Sequence, residues 1–581
     1  MNKTTTLLFF LFFFYSCNSP APGTDPGETG ENPVTPDGPV EIEVQVPGAD
    51  PLVTQAWHLQ NTGQSAFSTG SGIAGNDLKV LRAHNLGFIG RGIRIAVSDS
   101  GVETSHPDLN ANQLSGEHRS YNGSPSSWHG SQPTPVGGDG HGTSVTGLIN
   151  AVAGNGIGSI GVAPGAKFAG FYFIGKFQDT SSSYEARVLD QIIGDFDIFN
   201  YSYGYANCFF VPTSAEIFAA YKKGVTTLRD GKGAIYIKAA GNDYKGSNST
   251  CYQNDSSTFY GNANTNEDQN HPYLVVTAAT NASGEASSYS SPGSNVWVSS
   301  AGGEFGDAAP AMITTDLQGC SKGFSVSGSW TSAFNRGQHS LNSLCNYTSA
   351  MNGTSSATPT LAGIVALMLE ANPELTWRDV KHILATTSNP IQYSTAAYAH
   401  PAGANLTGHV YDYSYVVNAA GMKFSNTFGF GRVDAEKAVA MAKDYTFPLK
   451  PYKETETNGD WDYRSNFINQ AIPDKASAGT SHALNVTHNL KVEAIQIKVE
   501  IDHPFVSDLG VEVTSPSGTV SKILRINSNI KDRGLFGFTL LSNAFYGENS
   551  KGNWTIRVLD AKSGNTGRLV SWELKVNGGQ L

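Results

Sequence analysis

Two short apolar runs that each climb into a polar residue constrain this chain more than any other feature. Gly92-Ile93-Arg94-Ile95-Ala96-Val97-Ser98-Asp99 is rich in β-branched residues and ends on an acid followed by Ser100-Gly101. Ile235-Tyr236-Ile237-Lys238-Ala239-Ala240-Gly241-Asn242 ends on a carboxamide. Strands buried on both faces read this way, as near-continuous apolar stretches, and belong to parallel sheets covered by helices. Function in such sheets collects beyond the carboxyl ends of the strands, so Asp99 and Asn242 stand where a site is expected. A third run, Leu361 to Leu369, is apolar on every side and predicts a buried helix with small residues packed at its entrance. The fold class expected for this part is α/β, a parallel sheet with helices on both faces.

The pattern changes in the last part of the chain. Val499-Glu500-Ile501-Asp502, Asp508-Leu509-Gly510-Val511-Glu512-Val513 and Ser571-Trp572-Glu573-Leu574-Lys575-Val576 alternate at period two, with turn signals such as Ser515-Pro516-Ser517-Gly518 between them. That spacing predicts an all-β sandwich without a long helix. The boundaries expected are 50–447 for the α/β domain and 448–581 for the sandwich.

Ahead of both, Leu7 to Tyr15 is an apolar run too short to span a bilayer and suited to the core of a signal peptide, which assigns residues 1–17 to export. Its end at Ser16-Cys17 resembles a bacterial lipoprotein signal, in which the cysteine is lipidated, although Phe14 replaces the usual aliphatic residue. Residues 18–49 are dominated by Pro, Gly, Asp and Glu and read as a flexible linker. Export to the cell envelope or the medium follows, with membrane contact only through the lipid anchor. A net charge of −11 with 15% charged residues argues against a nucleic-acid-binding surface. Setting Cys17 aside leaves Cys208, Cys251, Cys320 and Cys345, an even number in an oxidising compartment. Three connectivities are open, and 208–251 with 320–345 is favoured because each pair brackets one loop. None of the spacings resembles a zinc site.

Chemistry concentrates in four places. His141 lies in Asp139-Gly140-His141-Gly142-Thr143, where small neighbours leave an imidazole open at a helix start, able to take and return a proton near neutral pH. Ser355 lies in Asn352-Gly353-Thr354-Ser355-Ser356-Ala357-Thr358-Pro359, at the N-terminus of the apolar helix, where peptide dipoles and unpaired N–H groups favour a developing oxyanion. With Asp99 and Asn242 they supply an orienting acid, a base, a nucleophile and an oxyanion donor in the order Asp, His, Ser. Each piece alone reads as a turn residue, a surface histidine or a helix cap. The combination resembles the subtilase family, and Gln55-Ala56-Trp57-His58-Leu59, His106-Pro107-Asp108-Leu109 and Glu370-Ala371-Asn372-Pro373 resemble its kexin- and furin-type branch. The C-terminal sandwich resembles the P domain of that branch, whose implied role is to stabilise the catalytic domain, with His503 and Asp508 structural.

The resemblance implies a serine endopeptidase acting on proteins or peptides, a calcium ion, and a β-augmented substrate. Asp50, Asp108 and Asn155 would offer side-chain oxygens to calcium, and Val152, Ile157 and Ser159 would offer carbonyls, a hard-oxygen set that suits this ion. Ser202, Tyr203 and Gly204, in a segment resembling the family's edge strand, would pair with substrate. Ser100, Asn207 and Ser291 replace acids that line the pockets of convertases, so specificity stays open, with Asp139, Asp243 and Asp255 as nearby sources of negative charge. Residues 18–49 cannot form a folded prodomain, so the protein is expected either to fold unaided or to use a separate chaperone.

Three rival readings fail or rank lower. Gly156-x-Gly158-x-x-Gly161 resembles a dinucleotide fingerprint but follows a helix and leads to Ala163-Pro164, not to a helix start. An esterase of the α/β-hydrolase type would need a Gly-x-Ser-x-Gly elbow, which Gly353-Thr354-Ser355-Ser356-Ala357 does not provide. A catalytically silent adhesin or scaffold is the alternative from another class, and the intact set of four residues argues against it.

Overall fold

The computed structural model describes residues 50–581 apart from 176–180, 206–207, 245–260, 328–329, 400–402, 404, 447–448 and 529. The signal, the linker, Cys17, Asn207, Cys251 and Asp255 therefore lie outside the described residues.

Among the described residues, seven strands form one sheet: β1 Arg94–Asp99, β2 Arg119–Ser120, β3 Lys167–Tyr172, β4 Ile198–Tyr201, β5 Ile235–Ala239, β6 Leu274–Thr280 and β7 Val296–Ala301. Their order is β2-β3-β1-β4-β5-β6-β7, and every neighbouring pair is parallel. The apolar runs account for this, since β4 to β7 are buried along their whole length. Among the described residues, seven helices accompany the sheet: α1 Val80–His84, α2 His141–Asn150, α3 Ser181–Gln191, α4 Ala215–Thr227, α5 Thr354–Ala371, α6 Trp377–Thr387 and α7 Ala435–Lys443. Helix α5 is buried on all sides from Thr354 to Leu369 and packs against β4 to β7 as well as α2 and α7. It is the central helix that the Leu361–Leu369 run predicts. Helix α6 is started by a capping box in which Thr376 and Asp379 bond each other's backbone amides.

A hairpin of β8 Met312–Thr315 and β9 Tyr347–Met351 lies beside α2, held by Ser144 Oγ donating to Thr315 O at 2.7 Å and Thr315 Oγ1 donating to Thr143 O at 2.8 Å. The Cys320–Cys345 disulfide closes the long connection between β8 and β9. This is one of the two expected bridges. The other would need Cys251, outside the described residues.

The C-terminal part has its own apolar core, drawn from Tyr463 to Val576, between two antiparallel sheets. Ala476–Val486, Gly552–Asp560, Leu509–Thr514 and Val520–Leu524 form one sheet, and Gly567–Gln580 and Leu490–Asp502 are the long strands of the other. A polar seam joins this sandwich to the α/β part. Gln496 Nε2 donates to Asn270 O and Asn270 Nδ2 to Thr539 O, each at 2.8 Å, while Leu541 N donates to Asn264 Oδ1 at 2.9 Å. Arg378 grips Glu493 with two hydrogen bonds across the same seam. Buried amides cost stability unless matched, and these bonds match Gln496, Asn270 and the Leu541 amide across the seam.

One expectation is corrected by the topology. The segment Asn200 to Gly204 is not an edge strand, because β4 is paired on both sides, with β1 and with β5. Both backbone edges of Ile198–Tyr201 are used inside the sheet, and Ser202 to Gly204 run past its carboxyl end outside any strand.

Candidate active site

Asp99 is the last residue of β1 and fully buried. Its Oδ1 accepts the Ser100 N–H at 2.7 Å and lies 2.7 Å from His141 Nδ1. An ionised carboxylate only accepts, so Nδ1 carries the proton and Nε2 is the acceptor nitrogen. His141 opens α2, and a Cβ on the next residue, Gly142, would fall 2.2 Å from Gly101 O and 3.0 Å from Asp99 Cβ. Only glycine lets this helix start approach the strand end so closely. Asp139 Oδ1 accepts the His141 N–H at 3.0 Å. Burial disfavours the imidazolium, yet the charge and hydrogen bond of Asp99, together with the charge of Asp139, outweigh it and raise the His141 pKa above its usual 6.5.

Ser355 is the second residue of α5 and is buried. Its Oγ donates to Ser202 O at 3.0 Å, which brings the segment after β4 directly against the serine. The helix is delivered by Gly353, whose φ of +100° is closed to other residues. Asn242, three residues past β5, accepts both the Thr354 N–H at 2.8 Å and the Thr354 hydroxyl at 2.9 Å on its Oδ1. That orientation leaves Nδ2 as the donor end, next to the turn that presents Ser355. The Ser355 N–H is among the amides that a helix leaves without an intrahelical partner. The structure thus brings an acid–imidazole pair, a serine at a helix N-terminus and a carboxamide to the carboxyl ends of β1 and β5.

Around this centre, Ser100 and Ser291 are buried, and Ser291 Oγ accepts the Asp243 N–H at 3.0 Å. Burial pushes the Asp243 carboxyl up to about 7. Tyr203 takes a hydrogen bond from Gln191 Nε2 at 2.5 Å and lies under Lys238, whose Nζ is 4.2 Å from the ring centre. Thr354 and Tyr289 also shape the site. Thr354 sits inside the quoted serine motif, whereas Tyr289, whose Oη accepts the Gly353 N–H at 2.7 Å, carries no sequence signal.

The residues expected to hold a cation also converge. Asp50 accepts the Gly154 and Gly156 amides at 2.6 and 2.8 Å, and Leu52 N donates to Gly158 O at 2.8 Å, tying the N-terminal arm to the loop after α2. Asn155 Nδ2 donates to Asp108 Oδ1 at 2.8 Å, while its own oxygen accepts the Ile157 N–H at 3.1 Å. Asp108 Oδ2 and Ser159 Oγ are buried without a hydrogen-bond partner. Burial first, and the charge of Asp50 in addition, push the Asp108 carboxyl up to about 7. Among the described residues, no three His, Cys, Asp or Glu side chains are grouped to hold a metal. His503 and Asp508 find their partners inside the sandwich, Asp560 at 3.4 Å and Lys562 at 3.1 Å.

Comparison with known proteins gives the family. Residues 90–431 match the subtilase family model, and residues 492–576 match the proprotein convertase P-domain. The Aeromonas extracellular serine protease of Aeromonas sobria is 35% identical over 92% of this chain and 91% of its own. Neuroendocrine convertase 2 of Bos taurus is 28% identical over 93% of this chain and 75% of its own. A crystal structure of the Aeromonas sobria serine protease with its chaperone superposes with a TM-score of 0.82 at 33% identity, covering 92% of this chain and 96% of that one. Among the described residues, no helix is long and apolar enough to cross a membrane. With a family match over more than half of its length and these relatives along nearly all of it, the chain belongs to the subtilase family and is a serine endopeptidase that carries a convertase-type P domain.

Proposed function

We propose that the protein hydrolyses peptide bonds through an acyl-enzyme formed on Ser355. His141 takes the serine proton and passes it to the leaving amine, Asp99 holds the imidazole in the required tautomer, and Asn242 Nδ2 with the Ser355 N–H receives the oxyanion. The observation that carries this reading is the 2.7 Å contact of His141 Nδ1 with Asp99 Oδ1, beside a helix N-terminus that presents a buried serine. The Ser355 hydroxyl points to Ser202 O. An extended substrate bound along Ser202, Tyr203 and Gly204 would take that carbonyl with its own N–H and release the hydroxyl toward His141. The test is labelling with a fluorophosphonate followed by peptide mapping. The label should sit on Ser355 and vanish in Ser355→Ala, and peptidase activity surviving in that variant would sink the assignment.

Calcium fits the set built around Asp108. Two carboxylates approach each other in a buried setting, where the Asn155 carboxamide, the Tyr347 hydroxyl and the Ser159 amide only partly offset the cost of burying Asp108, as expected of a cradle for a hard divalent cation. Asp50 and Asp108 side chains with the Val152, Ile157 and Ser159 carbonyls would hold it, and Asn155 would join them only by turning its carboxamide, whose nitrogen now faces Asp108 and whose oxygen accepts the Ile157 N–H. The ion would supply positive charge that cross-links the arm to the catalytic domain, and no chemical step passes through it.

The relative crystallised with a chaperone supports the reading that this protein too uses a separate folding partner. Refolding the denatured chain alone and with a candidate partner separates the two cases, since full recovery alone excludes an obligatory chaperone. The relative named as extracellular supports export. Lipidation of Cys17, the 208–251 bridge and the domain boundary near 448 are part of the same proposal, and mass spectrometry of the mature N-terminus tests the first.

A further inference from the structure

Behind the serine, a tyrosine hydroxyl occupies a position the chemistry above does not use. Tyr289 lies in the loop after β6, is buried, and packs its ring against Ala279 and Ala357, with Phe305 edge-on at 5.8 Å. Its Oη accepts the Gly353 N–H at 2.7 Å and faces Gly302 O at 2.9 Å and Gly303 O at 2.8 Å, to which it donates. A phenol has one proton and two lone pairs, so these contacts use its full donor capacity and one acceptor site.

Gly353 needs such a partner. It caps α5 at φ +100° and ψ 166°, outside both helix and sheet, so neither kind of ladder can satisfy its amide. The two residues that follow are Thr354, which Asn242 grips, and Ser355. Rotation at Gly353 would therefore move the oxyanion donors and the nucleophile together. The wall behind the turn is also close, because a Cβ on Gly302 would fall 2.9 Å from Gly353 O and 3.2 Å from Tyr289 Oη. Burial holds the phenol well above its ordinary pKa, so it stays protonated wherever His141 titrates.

We propose that Tyr289 is a positioning residue for the reaction, locking Gly353 so that the Ser355 amide and the Asn242 carboxamide face one point. It acts through the turn and does not touch substrate. The inference rests on Ser355 being the nucleophile.

The test is Tyr289→Phe, which removes the hydroxyl and keeps the ring. Competent sites are first counted by fluorophosphonate titration, so misfolded protein does not enter the rate. We expect kcat per site to fall about 5- to 100-fold, the range for a buried N–H left unpaired, with KM changed less than about twofold. A peptide boronate, which forms a tetrahedral adduct on serine, should lose affinity by a similar factor. Tyr289→Leu separates packing from positioning, because losing the ring should add a fall in melting temperature to the same loss of kcat. If Tyr289→Phe keeps wild-type kcat and boronate affinity per titrated site, or if both variants lose only melting temperature, the positioning role is wrong. Ser355→Ala run in parallel distinguishes that outcome from failure of the nucleophile assignment.

Discussion

Asn242 and Thr354 are joined by two hydrogen bonds on a single oxygen, with the Thr354 amide at 2.8 Å and its hydroxyl at 2.9 Å both meeting Asn242 Oδ1. The pairing fixes which end of the carboxamide can donate. Asn242→Ala should lower kcat about 10²–10³-fold and leave KM nearly unchanged, since the oxyanion bond it removes forms only in the transition state and the two bonds it takes from Thr354 hold the turn and not the substrate. Asn242→Asp should not rescue it, because a carboxylate there cannot donate. Steady-state kinetics on one peptide substrate decides this.

Activity should follow the deprotonated form of His141. Asp99 and Asp139 raise its pKa above 6.5 against the effect of burial, so kcat/KM should fall with decreasing pH through a midpoint above that value. Removing the first of these charges with Asp99→Asn should move the midpoint downward while cutting kcat by about 10⁴. A midpoint that stays in place or rises in this variant would contradict the pairing.

Removing calcium should loosen the N-terminal arm before it touches chemistry. A ligand bound only by the folded form stabilises by about 2.7 kcal/mol at a hundredfold excess over its Kd. Chelator-treated protein should therefore melt lower and autolyse faster, and Asp108→Ala should melt low with or without calcium. Equal melting temperatures for metal-free and calcium-loaded wild type would exclude the site.

The Cys320–Cys345 bridge spans a sequence separation of 25. Losing the closure of a loop of this order costs about 3 kcal/mol in chain entropy, so Cys320→Ser or mild reduction should lower the unfolding midpoint measurably. The bridged connection also reaches the approach to His141 through Gly323 N, which donates to Gly138 O at 3.0 Å. Denaturant unfolding of oxidised and reduced protein checks the stability change.

Much of the fold was legible because its elements announce themselves locally. The apolar runs ending at Asp99 and Asn242 are strands whose tips present those side chains or the turn that carries them, and the Leu361–Leu369 run lies inside the central helix. Period-two alternation in the last part similarly specified the sandwich. Residue chemistry and short spacing determine such features, since a strand buried on both faces or a helix entered through glycine depends on adjacent side chains. What only the tertiary structure decided are the meetings between distant segments. The pairing of β4 on both sides, which leaves only Ser202 to Gly204 beyond its carboxyl end for a substrate to pair with, depends on the order of crossovers. The Tyr289 hydroxyl reaches Gly353 across 64 residues, and the asparagines from 262 to 270 look like an ordinary polar loop until the sandwich docks on them. A hydrogen bond depends on distances of a few tenths of an ångström between groups the chain brings together only after it has folded, and no local pattern encodes that distance.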